Sequence, residues 1–218
     1  FAELVSIAQE ANVLVVLSFR AGDYLTAQGH QIGLYPAERA GPHFVKKVVQ
    51  TFTIGAHRTP VQDLEFPIRH LVEIAARALS TGVNDPYTAA AVVDRLSASL
   101  SRLMTVGLPA GELRDAAGEV RVICERPTYA SLVGAAFDQI RQSGEDKPMV
   151  LIHLAQAVAR IADAVGVAEQ SDVLRTQLKL IGETSERHVE NAHDREAVSG
   201  RVKKAQEALK EAENRITA

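Results

Sequence analysis

From residue 60 to the C-terminus, apolar side chains return every three or four positions, a period that fits helices packed on one another. Leu64, Ile68, Leu71, Ala75 and Ala78 share one face of a predicted helix over 60–79, stopped by Ser80-Thr81-Gly82. Asn84-Asp85-Pro86 restarts the chain, with Asp85 as N-cap and Pro86 at the first helical position, where its missing N–H costs nothing. That helix runs to about residue 104. Thr128 caps a further segment to about 143, Lys147-Pro148 opens another to 165, and Ser171 starts a third through Leu174, Leu178 and Ile181. Val198, Val202, Ala205, Leu209, Ala212 and Ile216 alternate by four and three. This stripe is too short for a coiled coil and is read as a last helix packing on its own domain in preference to an oligomerisation zipper. The charged stretch 183–196 is read as a solvated or protruding helix.

The beginning is written differently. Leu4, Val5, Ile7 and Ala8 predict a short amphipathic helix ending at Asn12. Val13 to Phe19 is apolar and β-branched, Ala21-Gly22-Asp23 makes a turn, and Ile32-Gly33-Leu34-Tyr35 is a second short strand. Residues 36–42 read as a linker. The run Val45, Val48, Val49, Phe52, Ile54 is open between helix and strand. A hairpin is expected over 113–124, with its turn at 115–118. The expected fold is mainly α with a small β module (α+β): a short N-terminal helix plus strands, then a helical bundle with one hairpin. The expected domains are 1–42, a β module incomplete on its N-terminal side because two or three strands cannot build a core alone, and 43–218, helical with a long final helix.

Composition narrows the classes of function. A net charge of -3 supplies no whole-chain basic footprint, so no nucleic-acid partner is expected. One cysteine, Cys124, rules out an internal disulfide or a multi-Cys zinc site, and its apolar neighbours predict a buried structural thiol. No window approaches the roughly 18 apolar residues of a membrane span. The first residue is Phe, which reads as a cut within a longer protein.

Polar information is densest between His57 and Asp94. Gln62, Arg69, Glu73 and Arg77 lie opposite the apolar stripe of the 60–79 helix, with Asp63 and His70 on its flank. Arg69 with Glu73 and Glu73 with Arg77 are i,i+4 pairs, each worth about 0.3–0.5 kcal/mol on a water-facing surface. Phe66 and Ile74 interrupt this side and suggest cover by another element, and Pro67 predicts a bend. Both readings, plain surface and covered interface, stay open. The corner at 80–88 ends on a helix N-terminus, an anion-binding position that Asp85 fills with its own charge. Glu190 and His193, with Glu186 and Asp194 near, have metal-ligand spacing but no second such pair, so a solvated face is expected and no metal. His57, His70, His153 and Ser80 come with no nucleophile elbow, and there is no phosphate-binding Gly-x-x-x-x-Gly-Lys run.

Arg58-Thr59-Pro60-Val61-Gln62-Asp63, Phe66, Ile68-Arg69, Leu71-Val72-Glu73-Ile74-Ala75, Arg77-Ala78-Leu79-Ser80 and Gly82-Val83-Asn84-Asp85-Pro86-Tyr87-Thr88-Ala89 together resemble the signature of an uncharacterised bacterial family of predicted membrane proteins, domain of unknown function twenty-two fifty-four. Ala136-Phe137-Asp138-Gln139-Ile140-Arg141-Gln142 is similar to its second motif. Pro67 stands where Gly is usual in the family and Thr81 where Pro is usual, and both departures alter backbone freedom there.

The resemblance implies transmembrane helices on the N-terminal side of the same polypeptide, followed by a soluble region like this chain. The parent would sit in the bacterial inner membrane with this region on the cytoplasmic side. It implies no transferable activity. The β module with Arg20-Ala21-Gly22-Asp23 loosely resembles half of a biotinyl/lipoyl hammerhead, but no lysine-bearing hairpin follows, and no cofactor is expected. The leading expectation is a non-enzymatic domain that senses, gates or assembles, as a homo-oligomer. Its candidate polar network or ligand site comprises Arg58, Gln62, Asp63, Arg69, Glu73, Asn84, Asp85, Thr88, Asp138 and Gln139. The alternative is a small-ligand or metal-binding domain or an enzyme built on Asp63, Glu73 and Asp85.

Overall fold

The computed structural model describes residues 1–60 and 62–217; Val61, a position of the first motif, lies outside the described residues. The fold is α+β, a small mixed sheet with a helical bundle. It divides into two compact units, Phe1–Phe66 with Pro109–Arg126, and Pro67–Leu108 with the remainder from Pro127 onward.

The first unit holds α1 (Ala2–Ala11), β1 (Leu14–Leu17), β2 (Ile32–Tyr35), α2 (Pro42–Gln50) and the hairpin β3 (Glu112–Arg114) and β4 (Val120–Cys124). Asn12 ends α1 as expected: its N–H donates to the carbonyls of Ala8 and Gln9, and its left-handed conformation turns the chain so that the Val13 N–H also reaches the Ala8 carbonyl. The strand order is β2-β1-β4-β3. β1 pairs antiparallel with β2 and parallel with β4, and β3 pairs antiparallel with β4. Val15 lies opposite Leu34 and Val122, and Leu17 opposite Ile32 and Cys124. Strand side chains alternate between faces, so these residues share one face, which packs with Leu4, Ala8, Phe44 and Val48. Residues 44–54 resolve here: Phe44 and Val48 are four apart and both buried, the helical solution, and α2 forms.

The domain division therefore differs from the one expected at residue 42. The 113–124 hairpin, expected within the helical domain, supplies the strand that β1 needs for a sheet, and α2 supplies part of its apolar cover.

The second unit is built from α3 (Glu65–Ala78, whose first two residues belong to the first unit), α4 (Pro86–Val106), α5 (Tyr129–Ser143), α6 (Pro148–Ala162), α7 (Ala168–His188) and α8 (Ala192–Thr217). Leu96, Leu100, Phe137, Ile140, Leu151, Leu154, Leu174, Leu178 and Ile181 are the large side chains of its core. Val198, Val202, Ala205, Leu209 and Ala212 of α8 are buried, and α8 packs on α6 and α7, so the stripe is used within its own domain. The stretch 183–196 does not protrude: α7 ends at His188, and Thr184, Ser185 and Val189 are buried. Buried Gln170 joins two helix ends, its Oε1 accepting from the N–H of Gly166 at 2.8 Å and its Nε2 donating to the carbonyl of Met104 at 3.0 Å.

Two local expectations change. α3 begins at Glu65, not near 60, so Pro67 sits in the first turn, where helical N–H groups have no intrahelical partner, and no bend is needed. Ile74 is exposed, so the polar side of α3 is not covered at that point. Among the described residues no helix is long and apolar enough to cross a membrane.

Candidate functional site

Two carboxylates of the first unit lie almost entirely out of water, Asp63 at 5% and Glu65 at 4% exposure. An ionised group in that position requires partners. Asp63 Oδ2 receives Arg58 through Nε at 2.7 Å and Nη2 at 2.5 Å, while its Oδ1 accepts from the N–H groups of Glu65 and Phe66 at 3.0 and 3.1 Å. The charge thus also caps the first turn of α3, at the positive end of the helix dipole. Glu65 Oε1 receives Arg20 Nη2 at 2.7 Å. Arg20 stands just past β1 in the turn Arg20-Ala21-Gly22-Asp23, which is closed by the Asp23 N–H donating to the Arg20 carbonyl and the Arg20 N–H donating to Asp23 Oδ2.

Gly22 explains how the turn comes so close. Its φ is +92°, and a Cβ there would stand 2.1 Å from Asp63 Oδ2 and 2.7 Å from Arg58 Nη2. Only glycine permits both the conformation and the approach. The result is a clamp in which the β1–β2 turn, Arg58 and the start of α3 are held by two buried carboxylates.

Glu73, Asp85 with Thr88, and Asp138 have partners of their own. Gln62 and Gln139 are exposed. Glu73 pairs along α3 with Arg77 at 2.5 Å, and both are exposed; Arg69 is exposed on the same helix. Asn84 takes a left-handed φ of 48° at the α3–α4 corner. Asp85 caps α4 as expected, accepting from the N–H groups of Tyr87 and Thr88 at 3.1 Å and from Thr88 Oγ1 at 2.5 Å. These bonds, led by that of the Thr88 hydroxyl, hold its carboxyl below the usual value of 3.8. Asp138 accepts from Gln177 Nε2 at 3.1 Å and faces Arg141 at 3.7 Å; Arg141 also donates to Thr184 Oγ1 at 2.9 Å, making a polar seam between α5 and α7. Asp63, Glu73 and Asp85 thus each have their own partners. Among the described residues no group of three or more His, Cys, Asp or Glu side chains could hold a metal ion. Burial raises the Cys124 thiol above its ordinary value, consistent with an unreactive residue.

Residue patterns did not single out Glu65, Gln177 or a second buried aspartate, Asp115. Asp115 closes the β3–β4 turn, its Oδ1 accepting from Ala117 and Glu119 N–H groups and its Oδ2 receiving Arg121 Nε at 2.7 Å. The Arg121 hydrogen bond is the leading cause that depresses its carboxyl below 3.8. Arg121 also reaches Asn12 Oδ1 at 2.7 Å, joining the hairpin to the end of α1. The Asp-x-x-Gly turn signal at 115–118 was visible; the arginine partner across the turn was not.

Fold and clamp define an α+β chain in which Asp63, Glu65, Asp85 and Asp115 are each paired with the protein's own donors. The chain belongs to the family described as predicted membrane protein (DUF2254), whose model matches residues 1–160. Uncharacterized proteins of Mycobacterium bovis and of Mycobacterium tuberculosis (strain H37Rv) are each 34% identical over 213 residues, 95% of this chain and 40% of the relative. Another from the CDC 1551 strain of M. tuberculosis is 32% identical over 212 residues. The chain spans about two-fifths of the length of these relatives. No solved structure matches.

Gly22→Ala should cost about 3 kcal/mol, from a left-handed alanine plus a displaced Asp63 carboxylate, discounted because Arg58 is a third exposed. Gly118→Ala is its control: φ is +86° there but a Cβ meets nothing within 4 Å, so about 1–2 kcal/mol is expected. Equal losses on chemical denaturation would refute the clamp. Asp85 and Asp115, both depressed, add stability that is present above 3.8 and lost as pH falls through their lowered folded values. Asp85→Asn and Asp115→Asn should therefore flatten the acid limb of a melting-temperature profile, and an unchanged limb would contradict the pairing.

Proposed function

We propose that this chain is the extramembrane, cytoplasmic region of a larger membrane protein, serving assembly or the transmission of a conformational signal without catalysing a reaction. The observation that carries this reading is that the acids a catalytic site would need are already engaged: Asp63 with Arg58, Glu73 with Arg77, and Asp85 with Thr88 and the start of α4. A general acid, base or metal ligand must face a substrate or ion, and these groups face the protein's own donors.

The family description supports the membrane context, and the relatives' further length leaves ample chain for spanning segments. A single cysteine, unpaired, fits a reducing compartment. In this reading the clamp sets the position of the β1–β2 turn against the start of α3. A ligand or partner that moved the turn would strain the cap of a helix that continues into the second unit.

Sidedness is the decisive test. In the full-length protein, stripped of other cysteines, Glu119→Cys places a thiol on the exposed β3–β4 turn. A membrane-impermeant maleimide should label it in inverted vesicles and leave it unlabelled in right-side-out vesicles. Protection in both would contradict an extramembrane position, and labelling only in right-side-out vesicles would contradict the cytoplasmic side.

A further inference from the structure

The first unit has one face that its own packing does not explain. α2 buries Phe44 and Val48, but Val45 and Val49, one turn apart and about 100° further round the helix, are 40% and 49% exposed. Ile54, just beyond the helix, is 77% exposed. An apolar stripe beside an equally apolar buried one gives α2 more hydrophobic surface than its core contact uses.

The segment that carries it is basic, although Glu38 stands just before it. From Arg39 to Gln62 the sequence contains no Asp or Glu, and it carries Arg39, His43, Lys46, Lys47, His57 and Arg58. Arg58 is engaged by Asp63, and Lys47 faces Glu10 at 3.7 Å. Arg39 donates to the backbone carbonyl of Asn12, which neutralises no charge. Lys46 has no ion-pair partner among the described residues, and Arg39, His43, Lys46 and His57 are all exposed. The chain as a whole is acidic, with a net charge of -3, so this cationic segment stands against the general balance.

We infer that the outer face of α2, with Ile54, rests on an anionic phospholipid surface. The chemistry matches on both counts: Val45 and Val49 enter the boundary between headgroups and acyl chains, and Lys46 with Arg39 meets the phosphates. The patch is small, so its binding is weak by itself; tethering to a membrane-embedded part of the same polypeptide would raise its effective concentration. The inference rests on the extramembrane reading above and adds to it which surface turns toward the bilayer.

The test is co-sedimentation of the 218-residue chain with vesicles. Phosphatidylcholine vesicles containing phosphatidylglycerol should retain about tenfold more chain than phosphatidylcholine alone, a difference that falls as salt is raised. Lys46→Glu and the pair Val45→Ser with Val49→Ser should each abolish that preference, while Lys203→Glu, at an exposed position of α8, leaves it unchanged. All altered positions are exposed or half-exposed, so melting curves should match the wild type and confirm that loss of binding is not loss of fold. Equal retention by both vesicle types, or retention untouched by the α2 variants, overturns the inference. A valine pair that lowers the mass in light scattering without affecting retention overturns it too, and assigns the face to a second copy of the chain. The maleimide labelling at position 119 reads sidedness independently of α2, so failure with vesicles and failure of the extramembrane reading are separate results.

Discussion

A carboxylate held away from water has to be neutralised or it will not stay ionised, and much of the first unit's arrangement follows from where Asp63 is put. Its two oxygens divide the work: one takes Arg58, the other takes the first two N–H groups of α3. The second buried acid, Glu65, draws in Arg20 from the end of β1. The turn that carries Arg20 can approach only because residue 22 has no side chain. Remove the glycine and the carboxylate must move; move the carboxylate and α3 loses its cap. Pairs of this kind add little net stability over an apolar core, but breaking one of them is expensive, and that asymmetry makes them devices for fixing a geometry.

Local chemistry was readable in the residues, and long-range chemistry was not. Asp85 followed by Pro86 specifies a helix start within three residues, and α4 begins there. Thr128 caps α5 in the same way, and Asn12 ends α1 where expected. The clamp joins residues 20, 22, 58, 63 and 65 across more than forty positions, and no spacing rule links a turn glycine to a helix cap that far downstream. The parallel pairing of β1 with β4 spans over a hundred residues, a partnership that the residue pattern of the hairpin alone does not encode. Pro67 needs no bend for a plain reason: a helix starting at residue 60 would carry the proline in its interior, whereas the cap at Asp63 puts it in the first turn. Of the ten candidate residues, Arg58 with Asp63 and Asp85 with Thr88 are paired, and Asp138 joins Gln177 and Arg141 instead.

The family to which the chain belongs is described as predicted membrane protein, and the chain accounts for about two-fifths of its relatives' length. In the reading proposed above the paired acids serve structure or regulation, and the acid-free, apolar-edged α2 is the face turned to an anionic bilayer. The helical unit has a different character. Its polar contacts, Gln170 to the end of α4 and Asp138 with Arg141 to α7, fix one helix against another.

The central claim is that Asp63 and Arg58 act as one unit. A double-mutant cycle in urea with Asp63→Asn, which keeps a capping oxygen, Arg58→Ala and the combination measures this directly. Coupling of at least about 1.5 kcal/mol between the two substitutions is the expected result, and effects that add to within about 0.5 kcal/mol would contradict it.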